Sequence, residues 1–273
     1  MSAALLDIVR NGVTVYDLAQ PLEAGIPTSV NHPGFRMALQ RRHGDTVRPD
    51  GSSAANELIV TGGHVGTHID ALCHASFQGR LHGGYDAEQA QRTGRFEVHG
   101  VETIRPFVCR GVLLDIAAVR GVDVLGGDEE ITAEDLENAC LSVNARPGAG
   151  EVALIRTGWA RHWTDASRYL GADSGVPGVG EAGARWLAER GIAAAGADTT
   201  AFEHIPAGQG HLVMPVHRIL LVEHGIHIIE HLDLESLSAA GVREFLFVLS
   251  PLRIVGATGS PVRPLAVTEG ARA

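Results

Sequence analysis

A chain of 273 residues that is 45% hydrophobic and 20% charged carries enough apolar material for one sizeable core, and a single domain spanning 1–273 is expected. Its formal net charge of −10 argues against a nucleic-acid partner, whose phosphates select a basic surface. Cys73, Cys109 and Cys140 lack CxxC spacing, no apolar run reaches the roughly 20 residues of a membrane span, and no basic-then-apolar leader opens the chain, so a cytoplasmic protein with neither disulfide framework nor membrane partner is expected.

Residues 3–10 read as a short amphipathic helix stopped by Asn11-Gly12, and residues 13–18 alternate toward a strand. From Pro21 to Asp50 the chain is loop-rich, and long irregular segments in compact domains are often functional. A strand over Glu57 to Thr61 then enters a segment holding His64, His68, Asp70 and His74 among Gly62, Gly63 and Gly66. A first-row metal needs ligand atoms about 2 Å away, hence about 3 Å from one another. On an extended strand His64 and His68 would stand about 13 Å apart. On a single helix Asp70 would point roughly 200° away from His68. The spacing therefore predicts an irregular loop, freed by its glycines, that gathers His64, His68 and Asp70 on one metal, followed by a turn of helix carrying His74.

Phe77 to Tyr85 forms a second glycine-rich loop, and Gly111 to Ile116 a buried strand with Asp115 placed to cap the turn after it. Thr132-Ala-Glu-Asp135 has the form of a capping box opening a helix to Cys140. Val152 to Arg156 is a strand, a helical stretch runs from Trp159 to Leu170, and Glu181 to Arg190 is a helix ended by Gly191. Ile192 to Gly196 delivers Asp198-Thr199, and Ile219 to Glu230 reads as a hairpin. Alternating strands and helices predict parallel pairings, and the early strands and the hairpin an antiparallel part. The fold class is α/β, with a mixed β-sheet or partly closed β-barrel-like core flanked by helices.

The 14 histidines cluster, five in 64–99 and six in 204–231, which points to two segments meeting at one site. His82, His99, His224 and His227 are read as supporting or surface residues. In the later segment Glu230, behind Ile228 and Ile229, is costly to bury unless paired or bound to a cation, and His217 is its natural companion. An arginine such as Arg218 or Arg243 is the competing partner for Glu230. With three protein ligands and an open coordination position, a metal can activate water, and His74 fits as a group that accepts a proton and returns it to a leaving group. Zinc suits the imidazoles and carboxylate, and manganese stays open.

The run His64-x-Gly66-Thr67-His68-x-Asp70-x-x-x-His74 resembles the HxGTHxDxPxH signature of the cyclase superfamily, which includes bacterial kynurenine formamidases and isatin hydrolases. Further matches are Tyr16-Asp17-Leu18, the run from Leu154 to Trp159, Asp198-Thr199, Pro215-Val216-His217-Arg218, Ile229-Glu230 and the run from Gly256 to Pro264, so the likeness covers nearly the whole chain. Leu72 departs from it, standing where the signature has proline. The resemblance implies a swivelling β/β/α fold and a divalent metal, zinc or manganese, as one or two ions per chain, the second held by His217 and Glu230 with Asp70 shared. It implies as substrate a small cyclic or aryl amide cleaved at its C–N bond, and a homodimer or higher homo-oligomer. A polyketide-type cyclase or dehydratase on the same site, and a non-enzymatic metal-binding protein, are the alternative readings.

Overall fold

The structure is a computed structural model and describes residues 3–270. Thirteen strands are present among them: β1 Val13–Asp17, β2 Arg36–Arg41, β3 Asn56–Val60, β4 His68–Asp70, β5 Phe107–Asp115, β6 Glu130–Ile131, β7 Val152–Arg156, β8 Gly178–Val179, β9 Ala194–Ala197, β10 His227–Glu230, β11 Glu244–Leu249, β12 Gly259–Pro261 and β13 Leu265–Glu269. Nine of them build one curled mixed sheet in the order β1, β13, β11, β5, β7, β9, β10, β4, β12, flanked by helices. The expected α/β class with a partly closed sheet is what the chain adopts. β5, β7, β9 and β10 pair in parallel, and the remaining contacts in the sheet are antiparallel.

The central strands are nearly continuous apolar runs because both faces of the sheet are covered. Alternate side chains sort to two cores. Val112, Leu114, Ala153, Ile155, Ala195 and Ile228 face one that also contains Leu136, Leu187 and Leu220 from helical segments. Leu113, Val152, Leu154, Ala194 and Ile229 face the other, with Leu18, Ile69 and Phe247. The helix Ala133–Val143 opens on the expected capping box, with Thr132 and Asp135 bonding each other's backbone, and closes on left-handed Asn144. Glu181–Glu189 is helical as expected. Asp115 accepts a hydrogen bond from the Ala118 amide at 3.0 Å, the capping use expected of it.

Three expectations are corrected. Ile219 to Glu230 is not a hairpin: a helical turn at Pro215–His217 widens into a π-helical segment Arg218–His224, stopped by Gly225 at φ 67°, and only His227–Glu230 is strand. Pro215 presets the first helical φ, and a short apolar run such as Ile219 to Val222 has no periodicity that separates strand from helix. The expected helical stretch from Trp159 to Leu170 is broken into a 3₁₀ turn Trp159–His162 and a short helix Ala166–Leu170. His74 sits on a non-helical turn after β4, not on a turn of helix. The strand predicted over Glu57 to Thr61 does form, as β3, but in a two-stranded ribbon with β2 outside the main sheet. Among the described residues no helix is long and apolar enough to cross a membrane.

Candidate metal centre

The ligand-rich segment combines a turn and a strand. The chain bends between Gly63 and Thr67, with Gly66 at φ +66°, then extends through β4. In an extended chain residues two apart share a face, so His68 and Asp70 project together while Ile69 points into the core behind them. β4 is held between β10 and β12, and its register sets Glu230 of β10 directly across from His68. Their side chains therefore meet: His68 Nε2 lies 3.4 Å from Glu230 Oε2 and 3.5 Å from Asp70 Oδ1. The Gly66 carbonyl, 2.8 Å from His68 Nδ1, accepts a hydrogen bond from that nitrogen and so leaves Nε2 with the lone pair, facing the carboxylates.

The second segment arrives from the other side. The helical turn starting at Pro215 carries His217 Nε2 to 3.6 Å from Asp70 Oδ2 and 3.4 Å from Glu230 Oε1. His217 Nδ1 is 2.5 Å from Glu203 Oε1. The competing partners for Glu230 are engaged elsewhere, Arg218 with Glu181 and Glu223, and Arg243 with Asp115. Two histidine-rich segments thus do meet at one place, as the clustering predicts.

His64 and His74 lie to one side of this group. His64 Nδ1 is 2.8 Å from Asp70 Oδ1 and its Nε2 is 2.9 Å from the Thr258 hydroxyl, while the His74 ring lies over the His64 ring with centroids 4.0 Å apart. Three overlapping trios could each hold an ion, their donor atoms within 4.8 Å of one another: His64, Asp70 and His74; His68, Glu230 and His231; and Asp70, His217 and Glu230. All six residues singled out in the sequence, His64, His68, Asp70, His74, His217 and Glu230, are brought together.

A Cβ on Gly259, in β12, would stand 2.5 Å from His64 Cε1 and 2.9 Å from both its ring nitrogens. Gly259→Ala should therefore push the imidazole off Asp70 and weaken metal binding on the order of 10-fold, read by competition against a chelator; unchanged affinity would mean that His64 is dispensable to the site.

The donor set fits a divalent ion. Asp70 Oδ2 and Glu230 Oε1 are buried without a hydrogen-bond partner, and both face His217 Nε2. Such orphaned carboxylate oxygens cost free energy unless a cation meets them. Separations of 3.4–3.6 Å between donor atoms match the edges of a coordination shell with bonds near 2 Å. With protein groups alone the charges are strained: burial pushes Glu230 up to about 7 and His68 down to about 4. Burial would lower His217, but its hydrogen bond to Glu203 and the nearby Glu230 carboxylate hold it well above the usual imidazole range. A carboxylate–imidazole–carboxylate chain of this kind is how proteins orient histidine ligands.

The walls include residues that the sequence did not single out. A cavity of about 270 Å³ is lined by Ser29, Asn31, His32, Thr200, His211 and Met214 in addition to the histidines and Glu230. His32 stacks on His64, ring centroids 5.3 Å apart, so the loop-rich stretch from Pro21 to Asp50 contributes to the wall of the site. His231 should by strand alternation face away from Glu230, yet its φ of 57° turns it back; its ring stacks on Tyr169 and burial lowers it well below the usual imidazole range. His227 bonds the Asp70 carbonyl at 2.9 Å, and His82 and His99 bond backbone carbonyls, which are supporting roles. Cys73 is buried, pushed up to about 12 by burial and directed at the Ala257 carbonyl, not at substrate space. Asp198 braces the ends of β7 and β9, accepting from the Thr157 amide and hydroxyl and the Gly158 amide at 2.7–2.8 Å.

Comparison with known proteins adds a second line of observation. The family model described as "Putative cyclase" matches residues 16–204. An isatin hydrolase of Roseibium aggregatum is 26% identical over 226 residues, 81% of this chain and 78% of that protein. A crystal structure described as a novel cyclase superposes with a TM-score of 0.85 at 28% identity, covering 98% of this chain and 92% of the other. Isatin hydrolase A from Ralstonia solanacearum superposes with a TM-score of 0.74 at 24% identity, covering 98% and 96%, a likeness of fold alone.

Proposed function

This chain belongs to the cyclase family, and from that premise we propose that it is a metal-dependent hydrolase cleaving the C–N bond of a small cyclic or aryl amide. The observation that carries the metal half of the reading is the pair of orphaned oxygens, Asp70 Oδ2 and Glu230 Oε1, facing imidazole nitrogens at coordination spacing. The substrate half is supported by the similarity to isatin hydrolase. Asp70, His217 and Glu230 would hold one ion; His64 and His68, expected with Asp70 on another, each reach Asp70 Oδ1, at 2.8 and 3.5 Å, but fall in different trios, His64 with Asp70 and His74 and His68 with Glu230 and His231. Because Glu230 Oε2 also reaches His68, both carboxylates can serve two ions. Zinc and manganese each suit such a mixed imidazole and carboxylate set.

When bound, a divalent ion supplies Lewis acidity and lowers the pKa of a coordinated water from 15.7 to roughly 7. The rest is done by the chain. His74 lines the cavity and burial pushes it down to about 3, so at neutral pH its ring is uncharged and carries a lone pair. It takes the proton of the attacking water and hands it to the amide nitrogen as the C–N bond opens, leaving a carboxylic acid and an amine. Ser29, Asn31 and His32 line the same cavity and offer hydrogen-bonding groups to a substrate there.

The test combines elemental analysis of the purified protein with a hydrolysis screen of N-formyl anilides, cyclic imides and lactams in ¹⁸O-labelled water. A divalent metal at one or two per chain, and label in the product carboxyl, are expected. Turnover without label would favour ring closure or dehydration instead, and metal without turnover of any amide would leave a metal-binding protein.

A further inference from the structure

Glu203 is almost completely buried, 1% exposed, and it belongs to none of the three trios that could hold an ion. It lies on the loop after β9, 14 residues before His217, and is fixed by three hydrogen bonds: the Val216 amide to Oε2 at 3.1 Å, and the His217 amide at 3.1 Å and ring Nδ1 at 2.5 Å to Oε1. Its carboxylate thus straddles the start of the helical turn and grips the imidazole by the nitrogen that does not face Asp70 and Glu230. We propose that Glu203 is the positioning residue for His217, setting how tightly the His217 side of the centre holds its ion.

Three features of the geometry require this. With Nδ1 bonded to a carboxylate, which can only accept there, the lone pair of the neutral ring must be on Nε2, the nitrogen aimed at the site. The same contact fixes the rotation of the ring: among the described residues its other ion-pair contacts are the Asp70 and Glu230 oxygens, at 3.6 and 3.4 Å from Nε2. A carboxylate on the far nitrogen also makes the imidazole a stronger donor, and loss of such a partner typically costs 10–100-fold in metal affinity. His68 is oriented differently, by the neutral Gly66 carbonyl. The two imidazoles facing the carboxylates are therefore unequal donors, and the charged partner belongs to the one on the helical turn. This inference rests on the metal-hydrolase reading of the site.

The experiment titrates the metal-free full-length protein with Zn²⁺ against a competing chelator and follows thermal unfolding of the same metal-free samples. Glu203→Gln keeps the shape and removes one acceptor oxygen. It should weaken the ion lost in His217→Ala by 10–100-fold, leave any other ion within about 3-fold, and add nothing further to His217→Ala in the double variant. In the zinc-loaded protein, ¹⁵N chemical shifts of His217 should show Nδ1 protonated in the wild type and that preference diminished in Glu203→Gln. Wild-type zinc affinity in Glu203→Gln overturns the proposal. So does a uniform loss at every ion, or a lowered melting temperature with affinity intact, since either is what a merely helix-capping carboxylate produces. A wild-type protein that binds neither Zn²⁺ nor Mn²⁺ in the same titration sinks the metal-hydrolase reading together with the proposal, a result distinct from tight binding by the variant.

Discussion

Replacing His74 with alanine should lower amide turnover about 10²- to 10⁴-fold while the metal content stays that of the wild type. The expectation comes from where the ring stands. His74 is not within the group formed by His68, Asp70, His217 and Glu230, whose donor atoms approach one another at 3.4–3.6 Å. It lies over His64 and reaches His217 only edge-on, at 5.9 Å between ring centroids, while lining the substrate cavity. A ring so placed can exchange protons with a bound amide without giving up a coordination bond. The competing possibility is concrete, because His74 also forms a trio with His64 and Asp70. Were it a ligand there, His74→Ala would lose metal in elemental analysis, and the loss of activity would follow metal occupancy. Partial recovery of turnover on adding free imidazole to the metal-replete variant would point to the missing proton carrier.

The six site residues could be read from sequence because the chemistry is concentrated: four donors within eleven residues, and a buried acid that needs a partner. What the sequence concealed was geometry made by distant parts. The 13 Å argument against an extended chain holds for His64 and His68, but β4 itself is extended, and only the turn before it brings His64 back to Asp70. Nothing local announces that register sets Glu230 opposite His68, since the two are joined only by the antiparallel pairing of β10 with β4. Glu203 was likewise hidden: a lone acid in Ala201-Phe202-Glu203-His204 carries no pattern, and its partner lies on another element. Helix and strand were confused at Ile219 to Val222 because burial on all sides erases periodicity. His231 had the weakest signal, since its orientation depends on one left-handed backbone angle.

The sheet that carries the centre depends on a buried ion pair away from the metal, and Arg156→Met should destabilise the fold by about 3–5 kcal/mol, a large part of the roughly 5–15 kcal/mol available to a typical domain. Arg156 and Asp115 are register partners at the ends of β7 and β5, bonded at 2.8 Å, with side chains 5% and 4% exposed. The guanidinium also holds Glu235 at 2.7 Å, which ties the helix Glu235–Ala239 to the sheet. Burial alone would raise the Asp115 carboxyl, but hydrogen bonds from Ser238, the Ala118 amide and Arg156, together with the Arg156 charge, hold it below the usual carboxylate range. A depressed carboxyl contributes stability that is full above its unfolded value, about 3.9, and is lost as pH falls through the folded one. The wild type should therefore lose stability on acidification to pH 3, and Arg156→Met, with less depression to lose, should show a shallower fall in urea midpoint. Methionine leaves Asp115 buried with one cation fewer, so the penalty belongs to the stranded charge. Removing that charge too, in Asp115→Leu with Arg156→Met, should recover part of the loss, because an apolar pair of similar volume needs no counter-ion. A double variant at least as unstable as the sum of the single ones would show that the strand ends are held by packing and by Glu235, and that the ion pair is incidental to them.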